Sequence, residues 1–126
     1  MLKTHNSSAI VAVSDMARAR QFYEQTLGLE IAGDESEDVL VFKTGGTNLV
    51  VYASEFAGTN HANAVVWAVG DQIDAIAAEL KGKGVTFDHY DLDGASYADG
   101  VHRMGEFRMV WFKDPDGNVL HLNSGD

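Results

Sequence analysis

Two short apolar runs, Ala9-Ile10-Val11-Ala12-Val13 and Ala64-Val65-Val66-Trp67-Ala68-Val69, set the rhythm of the chain. Each is rich in β-branched residues and too short for a helix, so each predicts a strand. After the first run the period changes. Ser14-Asp15 offers an N-cap, and Met16, Ala19, Phe22, Tyr23 and Leu27 recur at helical spacing until Gly28 stops the helix. After the second run Gly70-Asp71 opens a helix with the stripe Ile73, Ile76, Ala77 and Leu80, ended by Gly82 and Gly84. Three strands follow each helix: about 29–33, 38–43 and 48–53 in the first half, then 85–90, 106–113 and 118–123. Asp114-Pro115-Asp116-Gly117 reads as a turn, since proline presets φ, glycine supplies positive φ and aspartate bonds nearby amides.

The halves are copies of one another. Asp15 aligns with Asp71 at an offset of 56, which also pairs Gly28 with Gly84 and Ile31 with Phe87. Val41-Phe42-Lys43 matches Trp111-Phe112-Lys113 at an offset of 70, and Leu49-Val50-Val51 matches Leu120-His121-Leu122 at 71. The second copy therefore carries about 14 extra residues near Asp91–Gly105, read as a surface excursion or a lid in which Tyr97, His102 and Met104 would meet a ligand. The expected fold is α+β. Two tandem βαβββ modules, about 8–54 and 63–124 of one 1–126 domain, form a curved mixed sheet around a cleft, with one helix packed outside each.

Strand alternation assigns the faces. Val11 and Val13 share one face of the first strand, and Ser8, Ile10 and Ala12 share the other; Val65, Trp67 and Val69 oppose Ala64, Val66 and Ala68. The bulkier set is expected under the helix and the smaller set on the concave side. Phe107, Met109 and Trp111 are expected to make an aromatic wall there, because Val110 and Phe112 supply a core face; Arg108 fits that arrangement poorly.

Composition narrows the function. The 126 residues contain 45% hydrophobic and 22% charged side chains, as in an ordinary soluble domain, and a formal charge of −10. Phosphate binding draws on clustered Lys and Arg, and the nine here are scattered, so nucleic acid is not an expected partner. Without cysteine there is no disulfide, thiolate nucleophile or Cys-ligated metal. The opening Met1–Ser8 lacks the apolar core of a signal peptide and no later segment is long enough to span a membrane, so a cytoplasmic protein is expected and the Asn6-Ser7-Ser8 sequon carries no weight.

Val13-Ser14-Asp15-Met16, Phe22-Tyr23 with Leu27-Gly28-Leu29, and Trp111-Phe112-Lys113-Asp114-Pro115-Asp116-Gly117-Asn118 resemble the vicinal oxygen chelate superfamily of glyoxalases, bleomycin-resistance proteins and extradiol dioxygenases. The resemblance spans about residues 8–124. In metal-dependent members, four ligands, usually His and Glu, enter the cleft from the first and last strands of each unit. The resemblance puts those positions at Ser8, Val50, Ala64 and His121, of which only His121 is a good donor. No metal and no cofactor is expected. A relocated divalent metal near His102, Glu106 and His121 is the alternative; His5, His61 and His89 form no ligand pair, and Asp91-Leu92-Asp93-Gly94 lacks the rest of a calcium loop.

The expected ligand-contacting residues are Ser8, Asn48, Val50, Tyr52, Ala64, Tyr97, His102, Met109, Trp111, His121 and Asn123. His121 has three open roles: general base, ligand anchor or structural hydrogen bonder. Three functions follow. One is metal-free binding of a hydrophobic or aromatic small molecule, similar to the bleomycin-resistance branch. The second is an enzyme of lyase, isomerase or dioxygenase type, using a relocated metal or His121 as base. The third is an interaction module with a collapsed cleft. The resemblance also implies a homodimer.

Overall fold

The computed structural model describes residues 1–33 and 36–126; positions 34 and 35, inside the first module, lie outside the described residues. The chain is mixed α+β and divides into two compact units, one of Met1–Ala64 with Asp114–Asn118, the other of Val65–Lys113 with Val119–Asp126.

The first unit holds β1 (Ala9–Val13), α1 (Met16–Arg20) running into a π-helical turn (Gln21–Thr26), β2 (Glu30–Ile31), β3 (Val39–Thr44) and β4 (Thr47–Ala53). Its sheet order is β1-β4-β3-β2. β1 runs parallel to β4 with Ile10 beside Val50 and Ala12 beside Tyr52, while β3 runs antiparallel to β4 with Val41 beside Val50. Asp15 caps α1 by accepting the Arg18 N–H at 3.1 Å, the role its position predicts. The core is the face carrying Val11, Val13, Leu40, Phe42, Leu49 and Val51, covered by Ala19 and Tyr23. The opposite face stays open, with Ile10 59% exposed.

Tyr23 depends on a distant piece of chain. Its hydroxyl donates to Asp114 Oδ2 at 2.7 Å, and Asn118 Nδ2 donates to the same oxygen at 2.8 Å and to Ala12 O at 2.8 Å. Asp114 Oδ1 accepts the N–H groups of Asp116 at 3.0 Å and Asn118 at 2.8 Å. Asp116 in turn accepts from Ser14 Oγ at 2.5 Å, Ser14 N at 3.1 Å and Arg18 Nη2 at 3.2 Å. Burial and the adjacent Asp114 carboxylate push the Tyr23 phenol far above its ordinary range, so the hydroxyl is a fixed donor.

The second unit holds β5 (Asn63–Ala68), a 3₁₀ turn (Gly70–Gln72), α2 (Ile73–Gly82), β6 (Ser96–Ala98), β7 (Val101–Met104), β8 (Phe107–Lys113) and β9 (Val119–Asn123). Its sheet order is β5-β9-β8-β7-β6. Gly84, at φ +92°, ends α2: Val85 N–H donates to Leu80 O at 3.0 Å and Gly84 N–H to Lys81 O at 3.1 Å. This is the paired closure that a glycine just past a helix allows. Ile73, Ala77 and Leu80 are buried, as are Val110, Phe112, Leu120 and Leu122.

Two sequence expectations change. The strand expected at 85–90 reduces to a single bridge, Phe87 to Phe112, with Asp88 N–H on Trp111 O at 2.8 Å. The segment expected as a loose excursion or lid supplies β6 and β7, whose register pairs Tyr97 with His102 and Ala98 with Val101. The reason is the Asp99-Gly100 turn, at φ 54° and 86°, a left-handed pair that matches the twist of a two-residue hairpin. β7 then pairs with the start of β8, His102 beside Met109, so the inserted hairpin takes the edge that 85–90 leaves open.

Two stability outcomes follow. Asp114→Ala removes the partner of a buried hydroxyl, a buried amide and two backbone N–H groups and is expected to cost about 3 kcal/mol or more; Tyr23→Phe is expected to cost about 1.5–3 kcal/mol. Urea unfolding checks both, and midpoint shifts worth less than about 0.5 kcal/mol would contradict the assigned network. A Cβ on Gly100 would lie 2.6 Å from Phe87 Cδ2, whereas one on Gly94, also at positive φ, meets nothing within 4 Å. Gly100→Ala is therefore expected to lower the melting temperature clearly more than Gly94→Ala, and equal shifts would count against the Phe87 contact.

Candidate functional site

In the sheet of the second unit, residues directly opposite one another point to the same side. The register places Tyr97 beside His102, His102 beside Met109, Met109 beside Asn123, and Trp111 beside His121. One face therefore gathers six of the residues singled out by sequence. The other face carries Val110, Phe112, Leu120 and Leu122, buried with the apolar stripe of α2. Arg108 belongs to this second face, where Nη1 meets Asp74 Oδ2 at 2.5 Å and Nη2 meets Asp71 Oδ1 at 3.4 Å; Arg103 joins Asp74 Oδ1 at 3.2 Å. The poor fit of Arg108 disappears, because Asp74 of α2 and Asp71 of the preceding 3₁₀ turn provide its carboxylates.

The first face is built of rings. Trp111 stacks on His121 with centroids 4.5 Å apart and planes 23° apart. Tyr90 and His102 meet Trp111 edge to face at 5.3 and 5.0 Å. Further out, His89 stacks on Tyr97 at 3.9 Å, and Tyr97 meets His102 at 4.7 Å. Such pairs add roughly 0.5–1.5 kcal/mol each beyond area burial, so the wall is stiff rather than a set of independent side chains. His89 and Tyr90 were missed at the sequence level. No alternation signals them, since adjacent residues both join the wall, and their ring contacts run to Tyr97 and His102 of the inserted hairpin and to Trp111.

His102 is 1% exposed. Its Nε2 accepts the Tyr90 N–H at 3.0 Å, and its Nδ1 has no hydrogen-bond partner in the structure. It therefore holds the 85–92 segment against the sheet rather than offering a free ring to a ligand. Glu106 lies in the exposed turn between β7 and β8.

His121 is 8% exposed, and Nδ1 lies 3.1 Å from Val110 O. A carbonyl can only accept, so Nδ1 carries the proton and Nε2 keeps its lone pair. Nε2 faces Asn123 Nδ2 at 3.3 Å. Burial lowers the His121 pKa below its ordinary value of 6.5, with the bond to Val110 O opposing. The ring is neutral at physiological pH, with a basic nitrogen beside the face of Trp111.

The remaining sequence candidates lie in the first unit. Asn48, Val50 and Tyr52 share the open face of β4, in rows with Ile10 and Ala12. Ser8 precedes β1 and is exposed; Ala64, at the start of β5, is half-buried. Ser8, Val50 and Ala64 supply one hydroxyl among them, and His121 adds only the Nε2 lone pair, because Nδ1 is tied to Val110 O. Among the described residues no three His, Asp or Glu side chains converge as ion ligands would. A divalent cation needs three or four converging donors, so the residues at these four positions do not fit the metal of the resembled family.

The fold is widely shared. A glyoxalase family protein from Enterococcus faecalis superposes with a TM-score of 0.72 at 21% identity, covering 98% of this chain and 99% of that one. A lactoylglutathione lyase from Agrobacterium tumefaciens gives 0.67 at 16%, covering 95% and 92%. A fosfomycin resistance protein from Listeria monocytogenes gives 0.66 at 16%, covering 96% and 90%. These similarities bear on fold. The model of the glyoxalase/bleomycin resistance protein/dioxygenase superfamily matches residues 6–122, nearly the whole chain, and the protein belongs to that superfamily.

Proposed function

We propose that the protein binds a hydrophobic or aromatic small molecule, without a metal, against the face built by Trp111, His121, Met109 and Tyr90. The observation that carries this reading is the Trp111–His121 stack, a planar aromatic surface with a neutral polar edge. Ligand sites are mostly apolar with a few placed polar groups, and Asn123 and His121 are such groups. The structural neighbours include both a lyase and a fosfomycin resistance protein, so the fold hosts more than one function. The reading extends to a cytoplasmic homodimer, with sedimentation equilibrium as the test of assembly.

A second reading has its own support. A neutral imidazole with Nδ1–H tied to a carbonyl and a lone pair on Nε2 is the form a general base requires. On this reading His121 takes a proton from an acidic C–H of the bound molecule. Loss of turnover with retained binding in His121→Ala would select it.

Two measurements check the leading reading. Binding of 2-naphthol, followed by ¹H–¹⁵N shifts, is expected to centre on residues of β8 and β9, to persist in excess EDTA, and to weaken about tenfold in Trp111→Ala. Loss of binding on chelation would contradict it. Stability should also carry the mark of His121. A depressed native pKa means that the unfolded chain binds more protons below about pH 6.5, so this contribution is present above that pH and is lost as pH falls through the native value. His121→Gln is expected to unfold with a shallower loss of stability between about pH 6.5 and 5 than the parent chain. Identical slopes would place the neutral ring in doubt.

A further inference from the structure

The polarity of the His121–Asn123 edge is fixed twice over. Val110 O forces the proton of His121 onto Nδ1, leaving Nε2 as an acceptor. Independently, the Gly125 N–H donates to Asn123 Oδ1 at 3.0 Å, which turns the amide oxygen away and directs the NH₂ to His121. Gly125 is held in turn, because its carbonyl accepts the Gly70 N–H at 2.8 Å. A Cβ on Gly125 would sit 2.9 Å from Asn123 Oδ1, so the tail is packed closely against that amide. The two constraints agree: an acceptor nitrogen and a donor NH₂ stand side by side. Their mutual contact of 3.3 Å is longer than the 3.1 Å bond from Nδ1 to Val110 O, and the NH₂ has a second hydrogen. It is a bond that a better partner can replace.

Among the described residues of this sheet, the cationic side chains are paired. Lys113, on the Trp111 side of β8, is held by Asp88 Oδ2 at 2.6 Å. Arg103 and Arg108 engage Asp71 and Asp74 on the opposite face. With a formal charge of −10 on the chain, an anion approaching this wall meets net repulsion and, among the described residues of the sheet, no unpaired arginine.

We infer that the Trp111 face selects an uncharged planar ring carrying an N–H and a C=O side by side, the edge of a lactam or cyclic imide. The ring lies against Trp111, its N–H donates to His121 Nε2, and its C=O accepts from Asn123 Nδ2. The inference rests on the binding reading above and adds the polar complement of the ligand. It also assigns Asn123 as a specificity-determining residue and Gly125 as the residue that orients it.

The test uses three matched bicyclic probes on the full chain, titrated by ¹H–¹⁵N shifts at pH 7.5: isoquinolin-1-one (neutral, donor beside acceptor), 1-naphthoate (anion) and naphthalene (no polar edge). Isoquinolin-1-one is expected to bind at least about tenfold tighter than 1-naphthoate and about fivefold tighter than naphthalene, the factors that one or two ordinary hydrogen bonds supply. Asn123→Leu and His121→Phe are expected to reduce the preference for isoquinolin-1-one over naphthalene about fivefold. His121→Gln, which keeps an acceptor, is expected to retain part of the preference and serves where the phenylalanine variant fails to fold. Equal affinity for all three probes, or a lactam preference indifferent to these substitutions, overturns the inference while the aromatic binding reading stands. Preference for 1-naphthoate overturns the inference as well. Binding of none of the three overturns both.

Discussion

The helix and first strand of the first unit are joined to a distant turn through one buried carboxylate. Asp114 is shielded from water, and a buried carboxylate persists only when donors surround it. Here the Tyr23 hydroxyl, the Asn118 side-chain amide and two backbone N–H groups converge on it, two on each oxygen. Tyr23 reaches it because the helix widens to a π turn over Gln21–Thr26, with Leu27 N–H reaching back to Phe22 O. The five-residue turn Asp114–Asn118 is thereby fixed against α1 and β1, at a separation of ninety-one residues from Tyr23. The same turn closes the β8–β9 hairpin through Asp114 N–H on Asn118 O, and the register of that hairpin sets Trp111 beside His121.

In the second unit the chemistry follows from how one sheet divides its polar groups. The α2 side takes the arginines and matches them with Asp71 and Asp74, so charge is satisfied on the face that also holds the apolar core. The opposite side carries the ring wall, the Asn123 amide and the neutral His121 imidazole, with Lys113 paired to Asp88. This separation is what makes the wall a candidate for uncharged aromatic molecules and a poor one for anions or metal ions. The departure from the resembled family is therefore more than missing ligands. At the position where the family supplies a metal-binding histidine, this chain has a histidine whose Nδ1–H is tied to Val110 O and whose Nε2 meets the Asn123 amide at 3.3 Å.

Much of this was legible before any coordinates. The offset of 56 between Asp15 and Asp71 exposed the duplication, because helix caps and glycine stops recur at fixed points in each copy. Period-2 alternation placed Val110 and Phe112 opposite Trp111, and the sheet bears that division out. The inserted segment was misread for a physical reason. β6 is three exposed residues, so it has no buried alternation to betray it; only Asp99-Gly100 marks the hairpin. The expected strand at 85–90 shortens to a bridge at Phe112 with Asp88 N–H on Trp111 O, beside the 107–109 stretch that β7 pairs with. The Asp114 network was invisible as well. Its turn signal was plain, but nothing local to residues 114–118 specifies a partner at Tyr23.

The central claim is that His121 is an uncharged ring with its proton on Nδ1 and an available lone pair on Nε2, at the edge of an aromatic wall. Side-chain ¹⁵N resonances of His121 at pH 7 test it most directly. The account requires a pyrrole-type signal for Nδ1 and a pyridine-type signal for Nε2, unmoved by added zinc. The opposite tautomer, an imidazolium, or a zinc-dependent shift of Nε2 would contradict it.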